Sequence, residues 1–356
     1  MQNYGLVREG VGNAALRPLA IPRLPDDYIL VRTVAVALNP TDWTTLEAPG
    51  DDGTIVGCDY AGIVEEVGKA VKRRFEKGDR IAGFAHGGND ADPENGAFAR
   101  VIAVKGDLQM HIPDDVSFET AATVGVGIGT VGYALYKVLG LPLPHLSKAS
   151  NSWNDDGNII LVYGGSTATG TLATQFAKLS GWTVVTTCST DHFDLAKSRG
   201  AHAIHDYRTP GVGRTICEKT HGSISHVFDT VSTASTAELC GQAMGRNGGK
   251  YCNLLGIDCP RPDVESTFFL CYSLSGEEYK FEGEVYPAQP EDFQFGTEWY
   301  GTAEQLWAER KWKAHPQRLE TGGLLGIGAG LEALKKGAVR GKKLVYRIDD
   351  TVWPSM

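Results

Sequence analysis

A segment of small and hydroxyl-bearing residues in the middle of the chain has the composition of a phosphate-binding turn. An apolar run at residues 158–163 leads into GGSTATG at residues 164–170, and a helix-forming stretch follows at once. Small residues let the backbone approach a pyrophosphate, whose charge is met by amides at the helix N-terminus. A turn without a ligand is disfavoured, because strand, turn, helix and second strand follow in order within about thirty residues. The predicted dinucleotide contacts are Gly164, Gly165, Ser166, Thr167, Ala168 and Thr169.

The end of the second strand indicates which dinucleotide binds. Enzymes that use NAD usually have a carboxylate there for the ribose hydroxyls, whereas this chain has Ser189 and Thr190. Hydroxyls tolerate a 2′-phosphate and cations are near in sequence, although Asp191 would repel the phosphate or bind ribose. This balance favours NADPH. The predicted contacts at its adenosine end are Ser189, Thr190, Asp191, His192 and Tyr207, with Lys197 and Arg208 as nearby cations.

Composition and charge exclude several other functions. A formal net charge of −9 argues against a nucleic-acid partner, since phosphate binding needs a basic face. The seven cysteines form no C-x-x-C pair, which predicts free and mostly buried thiols rather than disulfides or structural zinc. No signal peptide is recognised and the apolar runs are too short to span a membrane, so a cytoplasmic location is expected.

The elements that must position these residues change character along the chain. Strand-like runs at residues 28–37, 62–68, 79–85 and 97–104, separated by turns, predict a small, partly closed β-barrel. Residues 117–140 predict a helix with a cap at Ser117, and the polar stretch up to residue 157 predicts an exposed loop. From residue 158, continuous apolar strands alternate with helices, which predicts a parallel sheet covered on both faces.

These patterns predict an α/β protein of two domains. A doubly wound Rossmann domain at residues 125–284 is inserted into a mostly β domain, residues 1–124 plus 285–356. The last strand-like run, GKKLVYRI at residues 341–348, is expected to return to the first domain.

Several motifs together resemble the medium-chain dehydrogenase/reductase superfamily. They are LNPTDW at residues 38–43, VGCDYAG at 56–62, NGAFARV at 95–101, GGSTATG at 164–170 and TCSTDHFDLAKSRGA at 187–201. Within it the chain is similar to fungal stand-alone enoyl reductases of the lovastatin type, which act in trans with polyketide synthases. The likeness extends to GLPLP at residues 140–144. It implies a GroES-like β-barrel catalytic domain around the Rossmann domain, and a monomer.

The resemblance also implies that no catalytic metal is bound. Zinc-dependent members have a Cys where this chain has Asn39, and a His–Glu pair where it has Cys58 and Asp59. Because tetrahedral zinc needs three protein ligands, Cys58 and Asp59 are interpreted as structural residues or as part of the cleft wall. The missing ligands indicate reduction of a polarised C=C bond rather than of an alcohol or ketone.

The implied reaction is hydride transfer from NADPH to the β-carbon of an α,β-unsaturated polyketide thioester. The acyl carrier domain of a polyketide synthase, alone or fused to a peptide synthetase, would present this substrate. The resemblance assigns to the nicotinamide side Thr41, Asp42, Trp43, Thr44 and Thr130. It assigns to the cofactor also Leu254, Leu255, Val339 and Arg340. It assigns to the substrate Cys271, Tyr272, Ser273, Leu274 and Ser275. The predicted catalytic residues are Thr130 and Thr44.

One residue departs from the pattern of the subgroup. The matching segment commonly has a Lys at the position of Thr44, where it can orient ribose or relay protons, and Thr cannot carry that charge. The sequence therefore names no general acid. Two other functions stay open: a free-standing quinone or alkenal reductase with the same fold and cofactor, and a cofactor-binding protein without redox activity.

Overall fold

The computed structural model describes residues 2–144 and 158–354, so most of the loop expected up to residue 157 lies outside the described residues. The chain divides into two compact units. Unit 1 comprises Met1–Gly129, Tyr272–Glu309 and Ala314–Met356, and unit 2 comprises Thr130–Cys271 and Arg310–Lys313. The C-terminal part of the chain, apart from Arg310–Lys313, therefore belongs to unit 1.

The elements have the following bounds. The strands are β1 (Asn3–Arg8), β2 (Ala14–Leu19), β3 (Tyr28–Ala37), β4 (Asp59–Val67), β5 (Arg80–Phe84), β6 (Val101–Lys105), β7 (Gln109–His111), β8 (Ile159–Tyr163), β9 (Thr183–Cys188), β10 (Ala203–Asp206), β11 (Ile224–Asp229), β12 (Gly249–Asn253), β13 (Val264–Phe268), β14 (Tyr279–Phe281), β15 (Glu284–Tyr286), β16 (Gln317–Glu320) and β17 (Lys343–Arg347). The helices are α1 (Pro40–Glu47), α2 (Phe118–Ala121), α3 (Gly125–Gly132), α4 (Ala168–Leu179), α5 (Phe193–Ser198), α6 (Val212–Lys219), α7 (Ala234–Ala243), α8 (Pro290–Ala308) and α9 (Gly323–Lys335).

Unit 1 is built around a seven-stranded sheet of order β16–β17–β3–β4–β5–β7, in which β6 also pairs with β3. The strand predicted at residues 28–37 is confirmed as β3, which pairs antiparallel with β4, β6 and β17. Two register shifts interrupt the ladder between β3 and β4, and such bulges bend a sheet. Fully buried Ile29, Val31 and Tyr60 from these strands belong to the core of the unit.

The prediction of one helix over residues 117–140 is wrong. The predicted cap at Ser117 is confirmed, because its side chain accepts from the Thr120 N–H. The segment forms α2, α3 and a π-helical turn at Tyr133–Val138. Between α2 and α3 the backbone turns more tightly, with the Thr123 N–H donating to Thr120 O and the Val124 N–H to Ala121 O. Two side chains add bonds there: Lys343 Nζ donates to Thr123 O, and at the start of α3 the Val126 N–H donates to Asp59 Oδ1 at 2.6 Å.

Unit 2 contains a parallel six-stranded sheet of order β10–β9–β8–β11–β12–β13. This is the doubly wound Rossmann arrangement, whose order reverses beside β8, and it confirms the predicted fold. Every residue of β8 is buried, as expected for a strand covered on both faces. The carboxyl ends of β8 and β9 carry the residues predicted to bind a dinucleotide.

The predicted limits of the Rossmann domain, residues 125 and 284, differ from those of unit 2, Thr130 and Cys271. Beyond Cys271 the chain forms a hairpin of β14 and β15, and its Tyr279 ring packs edge-on against His86 of unit 1. Because Tyr279 and His86 are far apart in sequence, local sequence patterns do not reveal this contact.

No disulfide joins any of the seven cysteines, and all but Cys217 are buried, as their spacing predicted. Among residues 2–144 and 158–354, no helix is both long and apolar enough to cross a membrane.

Candidate active site

The turn between β8 and α4 brings backbone so close to neighbouring side chains that larger residues do not fit. A Cβ on Gly165 would lie 2.1 Å from Thr186 Oγ1 on β9. Gly164 has a φ of +85°, and its Cβ would lie 2.5 Å from Thr230 Oγ1. Both positions therefore require glycine, and the bare backbone they expose suits the close approach of a pyrophosphate.

The N-terminus of α4 completes this turn. Thr167 is its N-cap: the hydroxyl accepts from the Gly170 N–H at 2.8 Å and lies 2.9 Å from Thr230 Oγ1. Ser166, Ala168 and Thr169 are half-buried beside it. The turn offers amides, hydroxyls and a helix dipole to a phosphate group, so these residues fit a dinucleotide.

The residues predicted for the adenosine end lie at the ends of β9 and β10. Ser189 and Thr190 follow β9, and Arg208 Nη2 lies 3.4 Å from Thr190 Oγ1. Arg208 also donates through Nε and Nη2 to Asp206, and these bonds hold the pKa of Asp206 below its usual range. A guanidinium has five N–H donors, so the pair with Asp206 leaves donors for a phosphate.

The other residues predicted at this end lie close by in the chain. Asp191 is exposed, and His192 is half-buried at the start of α5. The Tyr207 ring is 40% exposed and lies 6.4 Å from the ring of Tyr163. An exposed aromatic face next to a phosphate-binding group is a surface on which adenine can stack.

Unit 1 contains a buried charge network around Asn39 and Asp59. Lys343 Nζ donates to Asp59 Oδ2, to Asn39 Oδ1 at 2.8 Å and to Thr123 O at 3.3 Å. Asp59 Oδ1 accepts from the Val126 N–H. The lysine thus supplies a positive charge between Asn39 and Asp59. Among the described residues, no cluster of three His, Cys, Asp or Glu could hold a metal ion.

The residues of the LNPTDW motif lie at the start of α1. Asp42 is buried and accepts from the Asn39 N–H at 2.7 Å, which caps the helix. Burial raises the pKa of Asp42 to about 7. Thr44 Oγ1 donates to Thr41 O at 3.2 Å, and the half-buried Trp43 packs on the core of unit 1. The structure therefore makes Asp42 a helix cap, and leaves Thr41 and Thr44 partly accessible.

Tyr272 is the best connected of the residues predicted to contact substrate. Its hydroxyl lies 2.9 Å from Thr41 Oγ1 and 3.5 Å from Cys58 Sγ. Its ring stacks on His86, with ring centroids 3.6 Å apart and planes within 4°. Burial raises the pKa of the Cys58 thiol, which keeps it protonated at neutral pH.

The remaining residues predicted to contact substrate or cofactor are divided between the two units. Ser273 and Leu274 are buried, and the half-buried Ser275 hydroxyl accepts from the Glu277 N–H at 3.2 Å. In unit 2, Thr130 Oγ1 lies 3.5 Å from Cys271 Sγ, so these two predicted residues come together. The other predicted contacts are Leu254 and Leu255 after β12 in unit 2, and Val339 and Arg340 before β17 in unit 1.

Sequence reasoning missed two residues of this region. Lys343 is a charged residue at the start of an apolar strand, and that unusual placement was a usable signal for a buried partner. His86 follows β5 in the segment FAHGGN, and no local pattern distinguishes it from a loop histidine.

Comparison with known proteins agrees with this architecture. The family model for the alcohol dehydrogenase GroES-like domain matches residues 25–114, and the model for zinc-binding dehydrogenase matches residues 168–274. A trans-enoyl reductase of Aspergillus sclerotiorum is 44% identical, over 96% of this chain and 99% of that protein.

Two solved structures share the fold at low sequence identity. The CurK enoyl reductase, 18% identical, superposes with a TM-score of 0.76 over 97% of this chain and 99% of its own. A mycobacterial protein complexed with NADPH, 20% identical, superposes with a TM-score of 0.71 over 97% of this chain and 99% of its own.

Proposed function

The chain belongs to the family of the fungal trans-enoyl reductases, and from this premise we propose that it reduces polyketide thioesters with NADPH. The bond reduced is the α,β double bond of an acyl chain carried by a polyketide synthase. The observation that carries the proposal is the match to a trans-enoyl reductase along nearly the whole length of both chains. A match of that extent covers the residues of both units.

The choice of NADPH is supported by the ends of β9 and β10. Enzymes that use NAD usually have a carboxylate at the end of this strand, and a carboxylate would repel a 2′-phosphate. This chain has Ser189 and Thr190 there instead, and Arg208 lies beside Thr190. The turn at Gly164 and Gly165 suits the pyrophosphate of the same cofactor. A protein of the same fold binds NADPH, which is consistent with this assignment.

When bound, the nicotinamide would supply a hydride to the β-carbon of the thioester. The chain must then hold the thioester, exclude water and place hydrogen-bond donors at the oxygen on which negative charge develops. The predicted catalytic residues are Thr44, whose hydroxyl donates to Thr41 O in unit 1, and Thr130, whose hydroxyl donates to Cys271 Sγ in unit 2. Lys343 Nζ occupies the region between Asn39 and Asp59 and bonds to both side chains. No step of the proposal requires a metal.

The substrate is proposed to arrive on the phosphopantetheine arm of an acyl carrier domain, and this is supported by relatives of this chain that are named trans-enoyl reductases. The chain would then act as a protein separate from the synthase. The reaction would leave the thioester bond intact and change only the acyl chain.

Parallel assays of NADPH oxidation test this function. The acceptors are 2-butenoyl and α-methyl-2-butenoyl thioesters of pantetheine and a simple quinone, and NADH replaces NADPH in a second series. The proposal predicts faster oxidation with the thioesters than with the quinone, and with NADPH than with NADH. Turnover of the quinone alone would instead indicate a free-standing quinone reductase.

A further inference from the structure

We propose that Asp229 positions the dinucleotide site of unit 2, by holding Thr230 and Ser232 in a loop that links the carboxyl ends of β8, β11 and β12. The inference rests on one part of the proposed function, the binding of NADPH, and it names the residues that shape the site for this cofactor. Asp229 is 0% exposed, so it acts through its neighbours rather than by touching the cofactor.

The carboxylate of Asp229 accepts four hydrogen bonds at the end of β11. Oδ1 accepts from the backbone N–H of Val231 at 2.9 Å and of Ser232 at 2.8 Å. Oδ2 accepts from the hydroxyls of Thr236 on α7 at 2.5 Å and of Tyr251 on β12 at 2.9 Å. Burial of a carboxylate costs free energy unless donors surround it. The four bonds therefore stabilise the buried carboxylate and fix the loop after β11 against α7 and β12.

Thr230 links this loop to the phosphate turn. Its hydroxyl donates to Tyr163 O at 2.8 Å, at the end of β8, and its oxygen lies 2.9 Å from Thr167 Oγ1, the N-cap of α4. Because a hydroxyl has a single proton, Thr230 Oγ1 accepts the proton of Thr167. The loop after β11 is thus hydrogen-bonded directly to a residue predicted to contact the dinucleotide.

Ser232 links the same loop to β12. Its hydroxyl donates to Asp229 O at 2.8 Å and accepts from the Leu254 N–H at 2.8 Å. The φ of Ser232 is +60°, in the left-handed region that residues other than glycine rarely adopt. Such strain persists only where surrounding bonds hold it, and it is concentrated at functional sites. The bond from the Ser232 N–H to the Asp229 carboxylate is one that holds it.

These bonds lie where the strand order of the sheet reverses. Within the order β10–β9–β8–β11–β12–β13, the reversal falls between β8 and β11, the two strands that Thr230 connects. Open α/β sheets bind ligands outside the carboxyl ends of the strands at this point. At that edge Val231 is 37% and Leu255 is 62% exposed. A displaced loop would therefore disturb both the phosphate turn, through Thr167, and the surface at the ends of β11 and β12.

The first experiment measures two dissociation constants by titration calorimetry, without any acceptor. The ligands are NADPH and adenosine 2′-phosphate, which has the phosphate expected near Arg208 but no pyrophosphate. Thr230→Val removes the hydroxyl at nearly constant volume, and the dissociation constant of NADPH should rise about tenfold, a loss comparable to one hydrogen bond. Thr230→Ser keeps the hydroxyl and should bind NADPH like the wild-type protein. Neither variant should change the binding of adenosine 2′-phosphate.

Two substitutions of Ser232 separate positioning from stability. Ser232→Ala and Ser232→Gly both remove the hydroxyl that accepts from Leu254, so both should weaken NADPH binding about tenfold. Glycine adopts a positive φ without a steric penalty, whereas alanine does not. The glycine variant should therefore unfold at a higher urea concentration than the alanine variant. NADPH affinity thus follows the hydroxyl, and stability follows the backbone.

Asp229→Asn tests the carboxylate itself. It puts an amide donor where Oδ2 accepts two hydroxyls, so the loop should lose its fixed position and NADPH should bind less tightly. In the double variant with Thr230→Val, the combined loss should be smaller than the product of the two single losses, because both changes act through one loop.

Thr220→Val is the matched control. Thr220 is a buried threonine of unit 2 whose hydroxyl donates to Ile216 O at 2.9 Å, and it lies before the amino end of β11. The substitution removes a buried hydroxyl far along the strand from the proposed site. It should lower the urea concentration of unfolding and leave both dissociation constants unchanged.

The outcomes separate this inference from the function on which it rests. Equal NADPH dissociation constants for Thr230→Val and Thr230→Ser would overturn the positioning role and leave the reductase function standing. A parallel loss of adenosine 2′-phosphate binding would also overturn it, since that result indicates general damage to unit 2. If Asp229→Asn is folded poorly, the Thr230 and Ser232 pairs decide. A wild-type protein that binds no NADPH would overturn both the inference and the proposed function.

Discussion

Lys343 and Asp59 form a buried ion pair in which the two side chains are only 4% and 0% exposed. The pair joins β17 to β4, and the second carboxylate oxygen of Asp59 accepts from the Val126 N–H. It therefore fixes the C-terminal strand, the central sheet and the start of α3 at one point. It also places the Lys343 ammonium between Asn39 and Asp59.

Removal of the lysine charge should be costly. Lys343→Met leaves Asp59 buried without its cation, and the free energy of unfolding should fall by about 3–5 kcal/mol. Urea unfolding at neutral pH measures this change. Lys336→Met is the control, because it removes only an exposed pair with Glu332 and should cause no measurable loss. Similar effects of the two substitutions would contradict the structural role of the buried pair.

Chelation should leave catalysis intact. A divalent ion near Asn39 and Asp59 would be repelled by the Lys343 ammonium, which already bonds to both side chains. Dialysis against EDTA should therefore leave kcat for the enoyl thioester unchanged, with metal content measured before and after. A loss of activity that zinc restores would be incompatible with this view.

Gly165→Ala should weaken cofactor binding. The new Cβ would meet Thr186 Oγ1 at 2.1 Å and displace the turn, so the dissociation constant of NADPH should rise by about tenfold or more. Fluorescence titration measures it. Gly301→Ala in α8 is the control, since outside its own helix backbone and chain neighbours no atom lies within 4 Å of a Cβ at that position. Thr186→Ala in the same chain should recover part of the affinity, and its failure to do so would point to a cause other than this clash.

Arg208→Ala should separate the two nicotinamide cofactors. A guanidinium at the 2′-phosphate strengthens NADPH binding through charge-assisted hydrogen bonds, whereas NADH lacks that phosphate. We expect the dissociation constant of NADPH to rise about tenfold and that of NADH to change little. Arg214→Ala, which removes an exposed arginine of the same unit, should affect neither. An equal loss for both cofactors would argue against a phosphate contact.

Stability should depend on the charge of His111. Its ring lies 3.1 Å from Glu304 and 3.2 Å from Asp79, and these carboxylates raise its pKa, although Arg73 also pairs with Glu304. Because the folded-state pKa is raised, the contribution is complete below the unfolded-state pKa and disappears as the pH rises through the folded-state value. Urea unfolding across that interval should show the fall, and His111→Gln should flatten it. An unchanged slope in the variant would assign the dependence to other groups.

Elements with local signals could be predicted from the sequence. The run at residues 28–37 is rich in β-branched and apolar residues and ends at a turn, and it forms β3 with those bounds. The glycine turn between β8 and α4 lies where its small residues predicted it, because backbone sterics act over a few residues.

Features that depend on distant partners could not be predicted. The helix expected at residues 117–140 is interrupted near the backbone groups that bond to Asp59 and Lys343. The cluster of Thr41, Cys58, His86 and Tyr272 joins residues that are far apart in the chain. Family resemblance named Tyr272 as a substrate contact, but only the fold shows what holds its hydroxyl.

Reduction of a carrier-bound acyl chain tests the central claim most directly. An isolated acyl carrier domain is loaded with 2-butenoyl phosphopantetheine and incubated with this protein and NADPH, and the carrier is then weighed by mass spectrometry. The account predicts that the acyl carrier gains the mass of two hydrogens, and that it does not without NADPH. An unchanged carrier, despite NADPH binding and correct folding, would contradict the assignment as a reductase that acts in trans.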